Sequence, residues 1–421
     1  MRSLSLRASL VALAAPFVLM ACAHPASLAP SSELTVLYAS TGRTMSWFGL
    51  DAASATLARR GAVTLPATIH HAATDPARRV LYVGWSDVAR GTPGTTHGVS
   101  AFAIDHESGA LTPLGSRRAL PSRPVFITTD RTGAQLFVAE NEPSALTQFP
   151  LARDGSIGAA VTPSTPHDVG LYAHQVRVDP SNRSVHVVAR GYGKSGAQAE
   201  RRGALVVLGL DEGVVRSRTS LDGGRSDDGF QPRNLDYHPT LPLAYLVLEV
   251  QNELQVHRRA PNGMLTAQPE HVASTLGAPP VAGMDQRAGV VVVHPSGRYA
   301  YVANRSIGTA GVEGTKLFDG AENSIAVFRL DESTGAPTLI QRAPSGGYEP
   351  RTMSLDGRGR MLAVGNLAPM LRRDQDGVVR VAPNVALFRV GDDGRLTLAR
   401  THEIETKSGE TLGWTALVTI R

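Results

Sequence analysis

Short apolar stretches separated by turn residues run through the chain, and their period is two rather than 3.6, which predicts strands. Four kinds of strand recur. Arg351-Thr-Met-Ser-Leu355 represents a first strand that enters a turn, and Tyr299-Ala-Tyr-Val-Ala303 a second that leaves one. Ser324-Ile-Ala-Val-Phe-Arg-Leu330 alternates apolar and polar residues as a third, and Arg395-Leu-Thr-Leu-Ala399 is a short fourth. The turn between first and second strands carries Asp75, Asp130, Asp179, His238, His294 or Asp356, at spacings of 55, 49, 59, 56 and 62 residues. Such a repeat is too long for a WD unit and fits a four-stranded antiparallel sheet with variable loops. A Gly follows the third strand each time, at Gly109, Gly155, Gly213, Gly263, Gly335 and Gly394, where a tight hairpin needs positive φ.

One four-stranded sheet has two apolar faces and cannot stand alone. Stacking such sheets radially buries both faces, which predicts an all-β propeller. Second strands number seven, because Leu34-Thr-Val-Leu-Tyr-Ala39 opens the series, whereas only six first strands precede a turn residue. The missing one is Thr415-Ala-Leu-Val-Thr-Ile-Arg421, an alternating strand without a neighbour of its own. Pairing it with the N-terminal strand closes a ring of seven blades and removes the open edge.

Composition agrees with this reading and adds the N-terminus. The 421 residues are 42% hydrophobic with 42 Gly and 27 Pro, and no internal run approaches the roughly 20 apolar residues of a membrane span. Arg2 and Arg7 precede the apolar run Ala8 to Ala21, the layout of a secretory signal. The run ends in Leu19-Met20-Ala21-Cys22, and Cys22 is the only cysteine in the chain. That boundary resembles a bacterial lipobox, with Cys22 lipidated. Cleavage after Ala21-Cys22-Ala23 by the ordinary signal peptidase is the competing reading. Residues 1–22 are therefore expected to be a lipoprotein-type signal, 23–33 a flexible tether and 34–421 the propeller. The expected location is the bacterial cell envelope, in the periplasm with a lipid anchor as the membrane contact. Loss of the two leader arginines takes the formal charge from +5 to +3. The remaining basic residues are dispersed, so neither nucleic acid nor a membrane surface is implied as a partner, and a monomer is expected.

Candidate chemistry follows from the repeat. The start of the first strand and the end of the second share one face of the disc, and the first strand lines the central channel. Five residues before the turn residue stand His70, Val125, His174, Arg233, Gly289 and Arg351. Eleven after it stand Ser86, Asn141, Arg190, Glu249, Arg305 and Leu367. His, Arg and Glu thus gather at one mouth of the channel, under longer joins near 85–96, 190–202, 306–322 and 367–383. Tyr82, Phe137, Tyr245 and Tyr301 read as core, and the turn Asp and His residues as caps of their own turns. No G-x-G-x-x-G opens a helix and no His/Cys/Asp group has ligand spacing, so no dinucleotide, other cofactor or metal is expected.

"AHQVRVDPSNRSVHVVAR" from Ala173, "QPRNLDYHPTLPLAYLVLEVQNELQV" from Gln231, "HPSGRYAYVANR…NSIAVFRLDESTGAPTLI" from His294 and "YEPRTMSLDGRGRMLAVGN" from Tyr348 resemble the seven-bladed propeller lactonase family. That family includes bacterial 6-phosphogluconolactonase and the fungal carboxy-cis,cis-muconate cyclising enzyme. The resemblance runs from Glu33 to Arg421 and is strongest from His294 to Arg400. It implies a catalytic set of His174, Arg233, Glu249 and Arg305, with Arg351, Arg190 and His70 as substrate-binding neighbours. Asn234 stands where the family often has His, and the loops at 306–322 and 367–383 are longer than usual. The implied activity is opening of a sugar-type lactone, 6-phosphogluconolactonase-like and metal-free, on a lactone or anionic sugar-acid substrate. His174 or Glu249 would move the proton while Arg233 and Arg305 bind an anionic substituent and the oxyanion. A lactone-forming cycloisomerase, or a non-catalytic envelope propeller holding a sugar or protein partner, are the alternatives. On the enzymatic reading, Ala at Arg233 or Glu249 is expected to remove turnover and leave stability near wild type.

Overall fold

The computed structural model describes residues 33–88, 93–163, 167–193, 199–221, 229–281, 283–312, 314–407 and 410–420. The signal at 1–22 with Cys22 and all of the tether but Glu33 lie outside these residues. The described chain is all-β; seven of its sheets are the expected blades, and two more are two-stranded hairpins. Blade 1 joins the two chain ends. Strand Leu34–Thr41 pairs antiparallel with Thr44–Asp51 on one side and with Leu412–Ile420 on the other, from Leu34 opposite Ile420 to Thr41 opposite Leu412. Blades 2 and 4 to 7 are four-stranded meanders. In blade 3 the three laddered strands end at Ala145–Pro150. The fourth position there is filled by the Gly- and Pro-interrupted stretch after Asp154, held through Gly158 N to Pro150 O at 2.8 Å and Val161 N to Gln148 O at 2.9 Å.

The second strands carry the ring. In Leu34–Thr41, Val36 and Tyr38 face blade 2 while Leu37 and Ala39 face blade 7, so one strand of period two feeds two interfaces. The same division recurs around the disc. Seven apolar clusters fill the seven gaps, from Val36–Trp85 between blades 1 and 2 to Leu37–Met361 between blades 7 and 1. The propeller therefore has no single core but one at each blade interface.

Polar latches cross the same gaps and explain several recurring residues. Tyr38 donates to the Gly109 carbonyl of the next blade at 2.7 Å, Tyr82 to Gly155 at 2.9 Å, Tyr245 to Gly335 at 2.9 Å and Tyr301 to Gly394 at 3.1 Å. His186 takes that role in blade 4, with Nε2 2.8 Å from the Gly263 carbonyl. The tyrosines are core residues, as expected for Tyr82, Tyr245 and Tyr301, but each also satisfies a turn carbonyl that burial would leave without a partner. His238 and His294 cap their turns and do one thing more. His238 Nδ1 accepts from Leu241 N at 2.8 Å while Nε2 lies 2.9 Å from the Gly297 carbonyl of blade 6; His294 likewise reaches the Gly359 carbonyl at 3.0 Å. An Asp cap cannot donate in that way.

The turn glycines are needed twice over. Gly335 has φ +70°, and a Cβ there would run into Leu243 and the Tyr245 hydroxyl. Gly335→Ala is expected to destabilise the fold by about 1–3 kcal/mol, through overpacking and strain together. A lowered calorimetric melting temperature checks this, and an unchanged one would remove the latch from the account.

Candidate functional site

Every first strand carries a β-bulge at or beside its fifth residue before the turn. The pairing skips a residue at His70, Val125, His174, Arg233 and Arg351, and skips Gly289 and Val290 in blade 6. In blade 1 the slip leaves Gly413 and Trp414 opposite Ser40. A bulge residue leaves the ladder and its side chain is re-aimed, so one device repeated around the ring turns these positions toward the mouth.

Glu249 is the centre of the resulting cluster. Its side chain is 0% exposed, and both oxygens are taken. Oε1 accepts from Arg233 Nη1 at 3.0 Å and from Arg305 Nη2, and Oε2 accepts from Arg190 Nη1 at 3.1 Å. Burial alone would raise this carboxyl, but Arg233, Arg305 and Arg190 outweigh it and hold Glu249 well below the usual carboxylate range. It is a permanent anion that gathers three guanidiniums contributed by three successive blades.

His174 adjoins this group from blade 4. Its Nδ1 lies 3.1 Å from the Arg233 carbonyl, an acceptor freed from the ladder by the bulge. That contact places the proton on Nδ1 and leaves Nε2 as the lone-pair nitrogen. Burial first, and then the field of Arg233, hold the imidazole well below its ordinary pKa despite the opposing charge of Glu249. His174 is thus neutral and able to accept a proton.

A second carboxylate extends the network. Glu349 Oε1 accepts from Arg305 Nη1 at 3.5 Å and from Arg351 Nη1 at 3.3 Å, joining blades 6 and 7. Arg351 is 45% exposed where Arg233 and Arg305 are 5% and 10%, so the cluster grades from a buried floor to an open rim. His70 stands apart from the hydrogen-bonded set. Its ring donates to the Ser86 carbonyl, and burial with the charges of Arg123 and Arg351 pushes it down to about 4. Its Nε2 is buried without a hydrogen bond among the described residues. The structure therefore brings His174, Arg233, Glu249, Arg305, Arg190 and Arg351 to one mouth, with His70 bordering it through Arg123 and Arg351.

Four further residues were not singled out from sequence. Arg123, Tyr172, Arg287 and Glu349 occupy the position seven before the turn residue, two residues from the bulge. Arg287 pairs directly opposite Arg305 and is held by Asp285 at 2.6 Å. The signal lies in the register, since positions five and seven before the turn share a strand face. Of the four long joins, two rise as hairpins: Thr309–Val312 with Thr315–Phe318, and Met370–Asp374 with Gly377–Val381. The joins near 85–96 and 190–202 fall partly outside the described residues.

A ring of seven blades with an imidazole, two carboxylates and converging guanidiniums at one mouth can be compared with known proteins. The family described as Lactonase, 7-bladed beta-propeller, matches residues 33–368. The chain belongs to this lactonase family. It is 27% identical over 304 residues to a 6-phosphogluconolactonase of Pectobacterium carotovorum subsp. carotovorum, covering 71% of this chain and 78% of that one. A 6-phosphogluconolactonase of Yersinia pestis is 26% identical over 327 residues, covering 70% and 90%. Among solved structures, the periplasmic gluconolactonase PpgL of Pseudomonas aeruginosa superposes with a TM-score of 0.68 at 19% identity, over 92% of this chain and 100% of that one. A putative 6-phosphogluconolactonase of Bacteroides fragilis gives 0.66 at 17% identity, over 94% and 100%. These likenesses agree with the lactonase fold. Within the family match fall all of His70, His174, Arg190, Arg233, Glu249, Arg305 and Arg351.

Proposed function

We propose that the chain hydrolyses the ester of an anionic sugar-type lactone at this mouth, without a metal. The observation that carries the reading is the buried Glu249 holding three arginines beside a neutral His174 whose Nδ1 is already committed. His174 Nε2 takes a proton from water as the water oxygen bonds to the lactone carbonyl carbon. Arg233 and Arg305 face the charge that develops on the carbonyl oxygen and stabilise it as fixed donors. The bond from that carbon to the ring oxygen then breaks, and His174 returns the proton to the departing oxygen, giving a hydroxy acid. Glu249 has no free oxygen for proton transfer and serves as the anchor of the guanidiniums. Of the two proton carriers that the sequence left open, the geometry favours His174. An anionic substrate also helps the base, because its charge offsets the arginine field that depresses His174.

The leader at 1–22, Cys22 and the relation to a propeller named as periplasmic support export and lipid anchoring as part of this reading. An enzyme so placed acts on lactones that reach the envelope. The test is to offer the domain from Glu33 onward a panel of aldonolactones, phosphorylated and not, and to follow acid release across pH. Turnover is expected, with the acid limb of kcat/KM lying below the ordinary histidine range because His174 is depressed. Absence of acid release from every lactone would sink the assignment, and an acid limb at or above pH 6.5 would remove His174 as the base.

A further inference from the structure

Two residues at the mouth, Tyr172 in blade 4 and Glu349 in blade 7, share a backbone conformation that side chains rarely adopt, with φ +56° in each. Both stand seven residues before the turn, and each holds two guanidiniums, one from its own blade and one from the blade before. Glu349 holds Arg351 and Arg305. Tyr172 carries the Arg190 guanidinium over its ring face at 4.4 Å, and its hydroxyl lies 3.4 Å from Arg123 Nη2. The Tyr192 ring meets Tyr172 edge-on at 5.4 Å and packs against the platform.

The two clamps differ in charge. Glu349 neutralises part of what it holds, whereas the phenol of Tyr172 orients two positive charges without cancelling either. Arg190 has only a share in Glu249, which also serves Arg233 and Arg305. Arg123 is bonded to Asn141 Oδ1 at 2.9 Å and to Glu142, a carboxylate that is itself 52% exposed and screened by water. Positive charge is therefore left over on the blade 3 and 4 side. It is also reachable, since Arg123 and Arg190 are 20% and 18% exposed against 5% for Arg233. Oriented, partly dry guanidiniums with unspent charge bind carboxylate and phosphate oxygens well.

We propose that Arg123 and Arg190, set by Tyr172, form a second anion subsite that receives a carboxylate or phosphate on the substrate, remote from the carbonyl held by Arg233 and Arg305. The inference rests on the lactonase reading for its substrate. His174 contacts Arg233 and lies within the field of both Arg233 and Arg190, so a substrate with an anionic end would be bound at both ends while its ester faces the base. Selectivity for charged over uncharged lactones comes from this subsite.

The experiment compares the protein with its Arg123→Gln and Arg123→Lys variants on three lactones: glucono-1,5-lactone, its 6-phosphate and glucaro-1,4-lactone, which ends in a carboxylate. Arg123→Gln is expected to lower kcat/KM for a charged lactone at least ten-fold more than for the uncharged one, with Arg123→Lys in between. The charged lactone that loses most names the anion. Equal losses on all three, or no loss on any, would overturn the subsite. Calorimetric titration with inorganic phosphate is the second readout. Arg123→Gln should weaken phosphate binding at least ten-fold, and undiminished binding, or none by the unaltered protein, also overturns the proposal. If no lactone is opened but phosphate binds through Arg123, the hydrolase reading fails and the subsite stands.

Discussion

Glu249→Gln is expected to abolish lactone opening and, unlike an ordinary active-site substitution, to unfold the protein at a markedly lower temperature. The side chain is wholly buried and holds three guanidiniums, two of which are themselves nearly enclosed. Gln keeps the shape but loses the charge, so the buried Arg233 is left without its carboxylate and Arg305 keeps only Glu349, which it shares with Arg351. Removing one member of a buried ion cluster costs about 3–5 kcal/mol, because the charges left behind are uncompensated. The expectation from sequence alone, that stability stays near wild type, is therefore revised by burial. A paired substitution separates the structural role from the chemical one. Glu249→Gln with Arg233→Met removes one of the stranded charges and should recover part of the lost melting temperature while activity stays absent. If Glu249→Gln melts with the wild type, the carboxylate does not anchor the guanidiniums. Since its pKa is depressed in the folded state, its contribution is present above the ordinary carboxylate range and fades only in strong acid.

What the sequence disclosed, and what it hid, follows from the range of the interactions. Ring closure was legible because Leu34–Ala39 opens the chain as a second strand with no first strand before it, while Thr415–Arg421 alternates without a neighbour of its own; the structure pairs Leu34–Ala39 with Thr415–Ile420 residue for residue. The cluster at the mouth was legible because turn residues fix a count along each strand. The bulge was not. Nothing in "QPRN" announces that Arg233 leaves the ladder, so that Gln231, not Arg233, bonds Glu249 across the hairpin through its carbonyl. Contacts between blades were hidden for the same reason. His238 and His294 look like variant turn caps until the neighbouring glycine carbonyl is seen within reach. Glu349 and Tyr172 stayed silent because each acts on an arginine from a different blade, far away in sequence. Hydrophobic period and turn chemistry are local and can be read; a partner supplied by the next sheet cannot.

His174→Asn should lower kcat by roughly 100- to 10,000-fold, the usual span for loss of a positioned general base. KM and melting temperature are expected to change little. His174 contributes one hydrogen bond, to the Arg233 carbonyl, and Asn can donate its amide to the same oxygen. What Asn lacks is the second nitrogen with a lone pair. The arginines and Glu249 remain in place, so substrate binding and oxyanion stabilisation persist, and a residual rate above background is expected from them. That residual rate should lose the acid limb of the pH profile, since the group that titrates has gone. A general loss of structure would move KM, melting temperature and rate together, so the separation of kcat from the other two is what the assignment requires. A His174→Asn variant that turns over at the wild-type rate would shift the proton transfer to another group. Glu249 is sealed by its arginines, and His70, pushed down to about 4, stands outside the hydrogen-bonded set around Glu249, so neither is placed to take over.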